Sequence, residues 1–147
     1  MNENLISSLI CFKKIFYSLV SERCKKFNLN SAELFLLDIL YRDGDLHQIE
    51  IARILECDKS HIHRITTKLI SKELLEFVEC QHGKNQKLHI TDKGKEIASS
   101  FNQIILSINE IIYKNVSKND LKTVQKTIDT LSDNIMKLKN EEKNKNA

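Results

Sequence analysis

Residues 59–72 carry four cations, Lys59, Arg64, Lys68 and Lys72, interleaved with hydroxyls and imidazoles and with no carboxylate. If Ile62, Ile65, Thr66 and Leu69 turn inward at a helical period, the opposite face is Ser60, Arg64, Thr67, Lys68 and Ser71, with His61 and His63 at its edges. Guanidinium, ammonium and hydroxyl donors on one acid-free face are the groups that bond base edges and phosphates in the major groove of duplex DNA. Ser60, His61 and Arg64, near the start of that helix, are expected to reach base edges. Thr67, Lys68 and Lys72 are expected to meet phosphates, and Lys59 and His63 complete the candidate contacts on this helix. A second acid-free stretch, residues 81–90, adds Lys84, Asn85 and Lys87. Residues 29–58, by contrast, set two cations against seven acids, so the formal charge of +3 is two basic patches on an acidic support.

Such a helix needs a platform, and residues 48–58 supply one. Two short helices that cross steeply must approach closely, and Ala52 is the small residue at the crossing. Ile51 and Leu55 of the first helix are expected to face Ile62 and Ile65 of the second, with Cys57 plugging the turn. Asp58 stands at the N-cap, where its side chain can serve otherwise unbonded amides.

Around this unit the apolar periods predict helices near 4–26 and over 31–41, the latter opened by a capping box of Asn30 and Glu33. Short apolar runs at 75–80 and 87–90 flank a polar stretch around Gly83 and predict a hairpin. Thr91 can cap a long helix through Ile97, Phe101, Ile104 and Ile108, and Ser117 opens another through Leu121, Val124, Ile128, Leu131, Ile135 and Leu138. The fold class expected is therefore mostly α with a small β-hairpin wing, a winged helix-turn-helix between long terminal helices. The division is 1–28 for an N-terminal dimerisation helix, 29–95 for the winged domain, 96–140 for C-terminal dimerisation helices and 141–147 for a disordered tail. The terminal helices carry more apolar surface than one small subunit can bury, which predicts a homodimer.

Composition narrows the function. With 147 residues, no proline and three glycines, the chain suits one helical domain. No apolar run reaches the ~18 residues that cross a bilayer, and residues 1–4 do not open a secretory leader, so no membrane partner and a cytoplasmic location are expected. The four cysteines, Cys11, Cys24, Cys57 and Cys80, then read as reduced thiols, with Cys24 and Cys57 as core fillers. Neither a glycine-rich phosphate loop nor a nucleophile elbow nor a pair of clustered carboxylates occurs, so no enzyme activity and no cofactor are expected. Cys80 and His82 form a Cys-x-His pair without a second pair, and His61 and His63 diverge on a helix, so no metal site is expected. His82 and His89 read as wing residues facing solvent or phosphate.

Leu29-Asn30-Ser31-Ala32-Glu33-Leu34-Phe35, the helix-turn-helix, Lys72-Glu73-Leu74-Leu75-Glu76 and Ile90-Thr91-Asp92-Lys93-Gly94 resemble, in order and spacing, the MarR family of transcription regulators. The resemblance spans residues 5–140. It implies a dimer joined by its terminal helices, reading a pseudo-palindromic operator with half-sites ~34 Å apart. It also implies a repressor that releases DNA on meeting a small-molecule effector or an oxidant. Three departures stand out. His82-Gly83-Lys84 replaces the wing's Asp-Arg pair, His47 replaces a Thr cap, and Glu56 and Glu73 sit where the family often has glycine. If the backbone is left-handed at those acids, each carries ~1 kcal/mol of strain. Cys11-Phe12 resembles the local sequence of an oxidant-sensing branch, which makes Cys11 the candidate redox sensor, although its spacing to Leu29 is shorter and that branch's tyrosines are not matched. The alternatives to a ligand-relieved DNA-binding regulator are thus a thiol-based redox sensor through Cys11, and a winged-helix protein-interaction module that ignores DNA.

Overall fold

A chain with no proline and three glycines has few points at which helices must stop, and helices dominate. A computed structural model describes residues 3–79 and 86–145. Its elements are α1 (Glu3–Arg23), α2 (Ser31–Asp43), α3 (Gln48–Ile54), α4 (Lys59–Ser71), β1 (Leu75–Glu79), β2 (Gln86–Ile90), α5 (Asp92–Ile112) and α6 (Lys118–Lys145). This is the expected helical fold with a small antiparallel strand pair. Residues 80–85, including Cys80, His82, Lys84 and Asn85, lie outside the described residues. Among the described residues no helix is long and apolar enough to cross a membrane.

Local chemistry explains most of the helix starts. Asn30 Oδ1 accepts from Glu33 N at 2.9 Å while Glu33 Oε2 accepts from Asn30 N at 2.8 Å, a reciprocal capping box. Thr91 Oγ1 accepts from Gly94 N at 3.1 Å and donates to Glu73 O at 2.8 Å, tying the first turn of α5 to the α4–β1 connection. Ser117 Oγ accepts from Asp120 N at 3.0 Å at the head of α6.

Two expected caps differ. Asp58 holds the N-cap position of α4, but its carboxylate makes no capping bond. Its carbonyl instead accepts from His61 N and Ile62 N at 3.0 and 3.2 Å. His47 turns its imidazole away from α3, placing Nδ1 3.2 Å from Gln86 O on β2, and Glu50 Oε2 secures the helix start by accepting from His47 N at 2.7 Å.

The chain divides at Ile108 into two compact units. In the first, α2 runs through the middle, burying Leu34, Leu36, Leu37, Ile39 and Leu40. The core continues through Ile51 and Ala52 of α3, Ile62, Ile65 and Leu69 of α4, Leu75, Leu88 and Ile90 of the strands and Ala98 of α5. An aromatic series links the helices: Tyr17 of α1 stands edge-on to Phe35 of α2 at 5.7 Å, and Phe35 stands edge-on to Phe101 of α5 at 5.2 Å. The strands pair from Leu75 opposite Ile90 to Glu79 opposite Gln86. Leu46 adds an isolated antiparallel rung to β2, donating its N–H to Leu88 O at 3.3 Å and accepting from Leu88 N at 2.8 Å.

Thr66 is the one inward residue of α4 that brings a polar atom into this core, and its buried hydroxyl has no hydrogen-bond partner. An orphaned buried hydroxyl costs ~1–3 kcal/mol. Thr66→Val, which keeps the branched shape, is expected to raise unfolding free energy by about 1 kcal/mol. Urea titration checks this, and a loss of stability would mean that the hydroxyl has a partner after all.

The second unit is residues 109–147. Within it α6 buries none of its residues, although Leu121, Val124, Ile128, Leu131, Ile135 and Leu138 recur along one side. The helix continues to Lys145, across residues 141–145 that were expected to be a disordered tail. Glutamate and lysine are good helix formers and nothing in Asn140-Glu141-Glu142-Lys143-Asn144-Lys145 breaks the backbone ladder; Lys143 and Lys145 also complement the dipole of the last turn.

Candidate nucleic-acid interface

The site begins with the crossing of α3 and α4. Ala52 is 7% exposed beside the fully buried Ile51, and Ile62 and Ile65 of α4 belong to the same cluster, with Leu55 and Cys57 packed against it. A larger side chain at Ala52 would wedge the helices apart. The connection closes with Cys57 N donating to Ala52 O at 3.0 Å, and this tight return forces Glu56 into the left-handed region at φ 48°. Glu73, just past α4, takes φ 60°. Both acids therefore sit in backbone that favours glycine. Glu56→Gly is expected to stabilise the fold by about 0.5–1 kcal/mol with DNA affinity unchanged, as read by thermal unfolding and a binding titration; a net loss of stability would contradict the strain.

Burial of Ile62, Ile65, Thr66 and Leu69 leaves Lys59, Ser60, His63, Arg64, Thr67, Lys68 and Ser71 exposed, with His61 half-buried. The outward face is thus the one that the helical period defines, and the rest of the first unit does not cover it. Within the face the side chains are engaged differently. Arg64 Nη2 lies 3.4 Å from His61 Nδ1. Thr67 Oγ1 donates to His63 O at 2.8 Å and Ser71 Oγ to Lys68 O at 2.7 Å, so these hydroxyls must rotate before they can donate to a phosphate. Lys68 Nζ is 3.8 Å from Glu33 Oε1. Lys72 Nζ donates to Asn28 O at 3.0 Å, fastening the connection before α2 instead of standing free.

On the wing, Lys87 is half-buried on β2 opposite Val78, while Lys84 and Asn85 belong to the residues left undescribed. His89 is partly exposed, as expected of a wing residue, and its Nδ1 is 2.7 Å from Asp45 Oδ1. Together with the Leu46 rung and the His47 contact, this pair staples β2 to the α2–α3 connection. Sequence reasoning noted His47 only as a cap and missed the contacts of Asp45, Leu46 and His47 with β2; the apolar Leu46 directly after the turn residues Asp43, Gly44 and Asp45 was the available signal.

Two cavities flank α4. A groove of about 290 Å³ is lined by Asn30, Glu33, His61, Arg64, Ile65 and Lys68. A more apolar cavity of about 370 Å³ is lined by Tyr17, Ser31, Ala32, Phe35, Leu55 and Cys57, and by His61 and Ile65, which border both. Burial pushes the Cys57 thiol up from its ordinary value, and the neighbouring Asp58 charge adds to the effect. Burial likewise raises Cys24, against the smaller pull of Lys26. Both are therefore poor thiolates; Cys24 is buried as a core filler should be, whereas Cys57 is half-buried and lines the cavity. Cys11 is exposed on α1. Among the described residues no three His, Cys, Asp or Glu side chains gather closely enough to hold a metal ion.

Residues 29–82, which include the whole helix-turn-helix, match the MarR family model. The chain is 32% identical over 76 residues to the uncharacterised HTH-type transcriptional regulator YpoP of Bacillus subtilis, a match covering 51% of this chain and 54% of that one. It thus spans about half the length of that relative. It is 23% identical over 130 residues to the HTH-type transcriptional regulator BilQ of Clostridioides difficile, covering 87% and 88%. Among solved structures it is similar to the S. aureus MepR–DNA complex, at 15% identity and a TM-score of 0.84 over 92% of this chain and 99% of that one. It is similar also to S. aureus MarR in complex with salicylate and kanamycin, at 16% identity and a TM-score of 0.81 over 92% and 93%. At such identities these likenesses speak for the fold.

Proposed function

We propose that the chain, whose residues 29–82 match the MarR family model, is a MarR family regulator that binds duplex DNA sequence-specifically as a homodimer and represses transcription from a pseudo-palindromic operator. The observation that carries this reading is the outward face of α4. It is exposed, cationic and free of acid, and it is held rigidly because its other face is core. Arg64, with Ser60 and His61 near the helix start, reads base edges; Lys59, His63 and Thr67 serve the backbone, with Lys68 beside them on the same face, and Lys84, Asn85 and Lys87 extend the contact from the wing. That a fold neighbour is a MepR–DNA complex agrees with this use of the architecture.

The division into a winged domain over 29–95 and dimerisation helices over 1–28 and 96–140 belongs to the same proposal. Leu5, Ile6, Ile10, Phe12 and Ile15 are exposed on α1, and Val124, Ile128, Ile135 and Leu138 on α6. Apolar stripes of this extent favour a partner surface, and a second copy of this chain is the occupant. Relief of repression is assigned to a small aromatic ligand in the 370 Å³ cavity, where Tyr17 and Phe35 offer faces and Ser31 and His61 offer hydrogen bonds. S. aureus MarR in complex with salicylate is a neighbour consistent with that ligand class.

Fluorescence anisotropy with the chain's own upstream duplex tests the reading. One dimer per site and affinity that falls steeply between 50 and 200 mM salt are expected. Salt-insensitive or absent binding would favour a protein-interaction module.

A further inference from the structure

Glu33 is an acid in an unusual place. It is 3% exposed at the start of α2, against the flank of the exposed face of α4. A carboxylate withdrawn from water keeps its charge only where donors and cations compensate it. The Asn30 amide supplies one donor at 2.8 Å to Oε2, and the Lys68 ammonium stands 3.8 Å from Oε1. The Lys68 side chain is 66% exposed and has solvent available, yet its charged end is directed at this buried acid. For a DNA phosphate to take Lys68, the ammonium must leave a carboxylate that little water can reach. A phosphate entering the groove beside Arg64 would also meet that negative charge.

We propose that Glu33 is an internal counter-charge that holds Lys68 back from the DNA backbone and so weakens the sequence-independent grip of the protein on duplex DNA. The inference rests on the DNA-binding reading of α4. Glu33 acts through Lys68 and is a positioning residue, touching no nucleotide. Its effect falls on specific and random duplexes alike, because a phosphate contact carries no sequence information.

Glu33→Gln separates this role from helix capping, since glutamine serves equally at the third position of a capping box. Affinity for a random duplex is measured from 50 to 200 mM salt for the full chain, with thermal unfolding as the check on folding. In Glu33→Gln the slope of log affinity against log salt is expected to steepen by about 0.9, an extra ~3.5-fold loss across that range. The steepening should vanish in Glu33→Gln/Lys68→Ala. In the otherwise native chain, Lys68→Ala should change the slope far less than Lys59→Ala, a comparison that stands even if Glu33→Gln folds poorly. An unchanged slope in a folded Glu33→Gln protein, steepening that persists without Lys68, or equal effects of Lys68→Ala and Lys59→Ala would each overturn the proposal. A native protein that binds no duplex at any salt would overturn the DNA-binding reading itself, and this inference with it.

Discussion

Arg64→Ala is expected to weaken binding to the specific operator by ~1–3 kcal/mol, roughly 5- to 150-fold. On random duplex the expected loss is smaller, near that of one phosphate contact. The asymmetry follows from position. Arg64 is exposed in the second turn of α4, its helix is anchored by Ile62 and Ile65 on the opposite side, and the guanidinium can present two parallel donors to one guanine edge. Alanine removes that fork while leaving the buried stripe and the helix propensity intact, so the variant should fold. The His61 contact at 3.4 Å is long and exposed and offers little competition to a base. Parallel titrations of operator and random duplex decide the matter. Equal losses on both would place Arg64 on the backbone and move base reading elsewhere.

The largest effect on stability is expected at Gly94. This residue is buried in the first turn of α5, where its Cα passes the carbonyl of Leu74. A Cβ there would run into Leu74 O and lie 2.8 Å from Cγ1 of Ile90. The first obstacle is backbone fastened by Thr91 N donating to Leu74 O at 3.2 Å, and the second is a buried strand residue, so neither can simply swing aside. In an open helix alanine would gain ~1 kcal/mol over glycine. Here overpacking wins, and Gly94→Ala is expected to cost ~1–3 kcal/mol net. For a chain of this size that lowers Tm by roughly 2–4 °C per kcal/mol. A variant that melts higher than the native chain would show that α5 does not approach Leu74 so closely.

What was legible in the sequence was whatever repeats along one helix or closes within a few residues. The period of Ile62, Ile65, Thr66 and Leu69 divided α4 correctly into a buried and an exposed side, because burial on a helix recurs every 3.6 residues whatever it packs against. The small residue at Ala52, the Asn30–Glu33 box and the Thr91 cap are of the same local kind. The left-handed residues Glu56 and Glu73 were legible only through the family resemblance, as acids standing where its members often have glycine. What escaped was every contact that depends on which element comes alongside. Nothing near His89 indicates Asp45, 44 positions earlier, and nothing near Lys72 indicates the carbonyl of Asn28, also 44 positions away. Lys68 read as a free phosphate ligand because the helical wheel gives its direction but not the buried Glu33 beside it. Asp58 failed differently: its type suits a cap, but the first amides of α4 took its carbonyl instead of its carboxylate.

The central claim is that the outward face of α4 lies against duplex DNA. Lysine acetylation footprinting with and without saturating operator duplex tests it most directly. Lys59 should become markedly less reactive when duplex is bound, while Lys126 and Lys139 on α6 should react as before. If Lys59 stays fully reactive on a protein shown to be bound, α4 is not the surface that meets DNA.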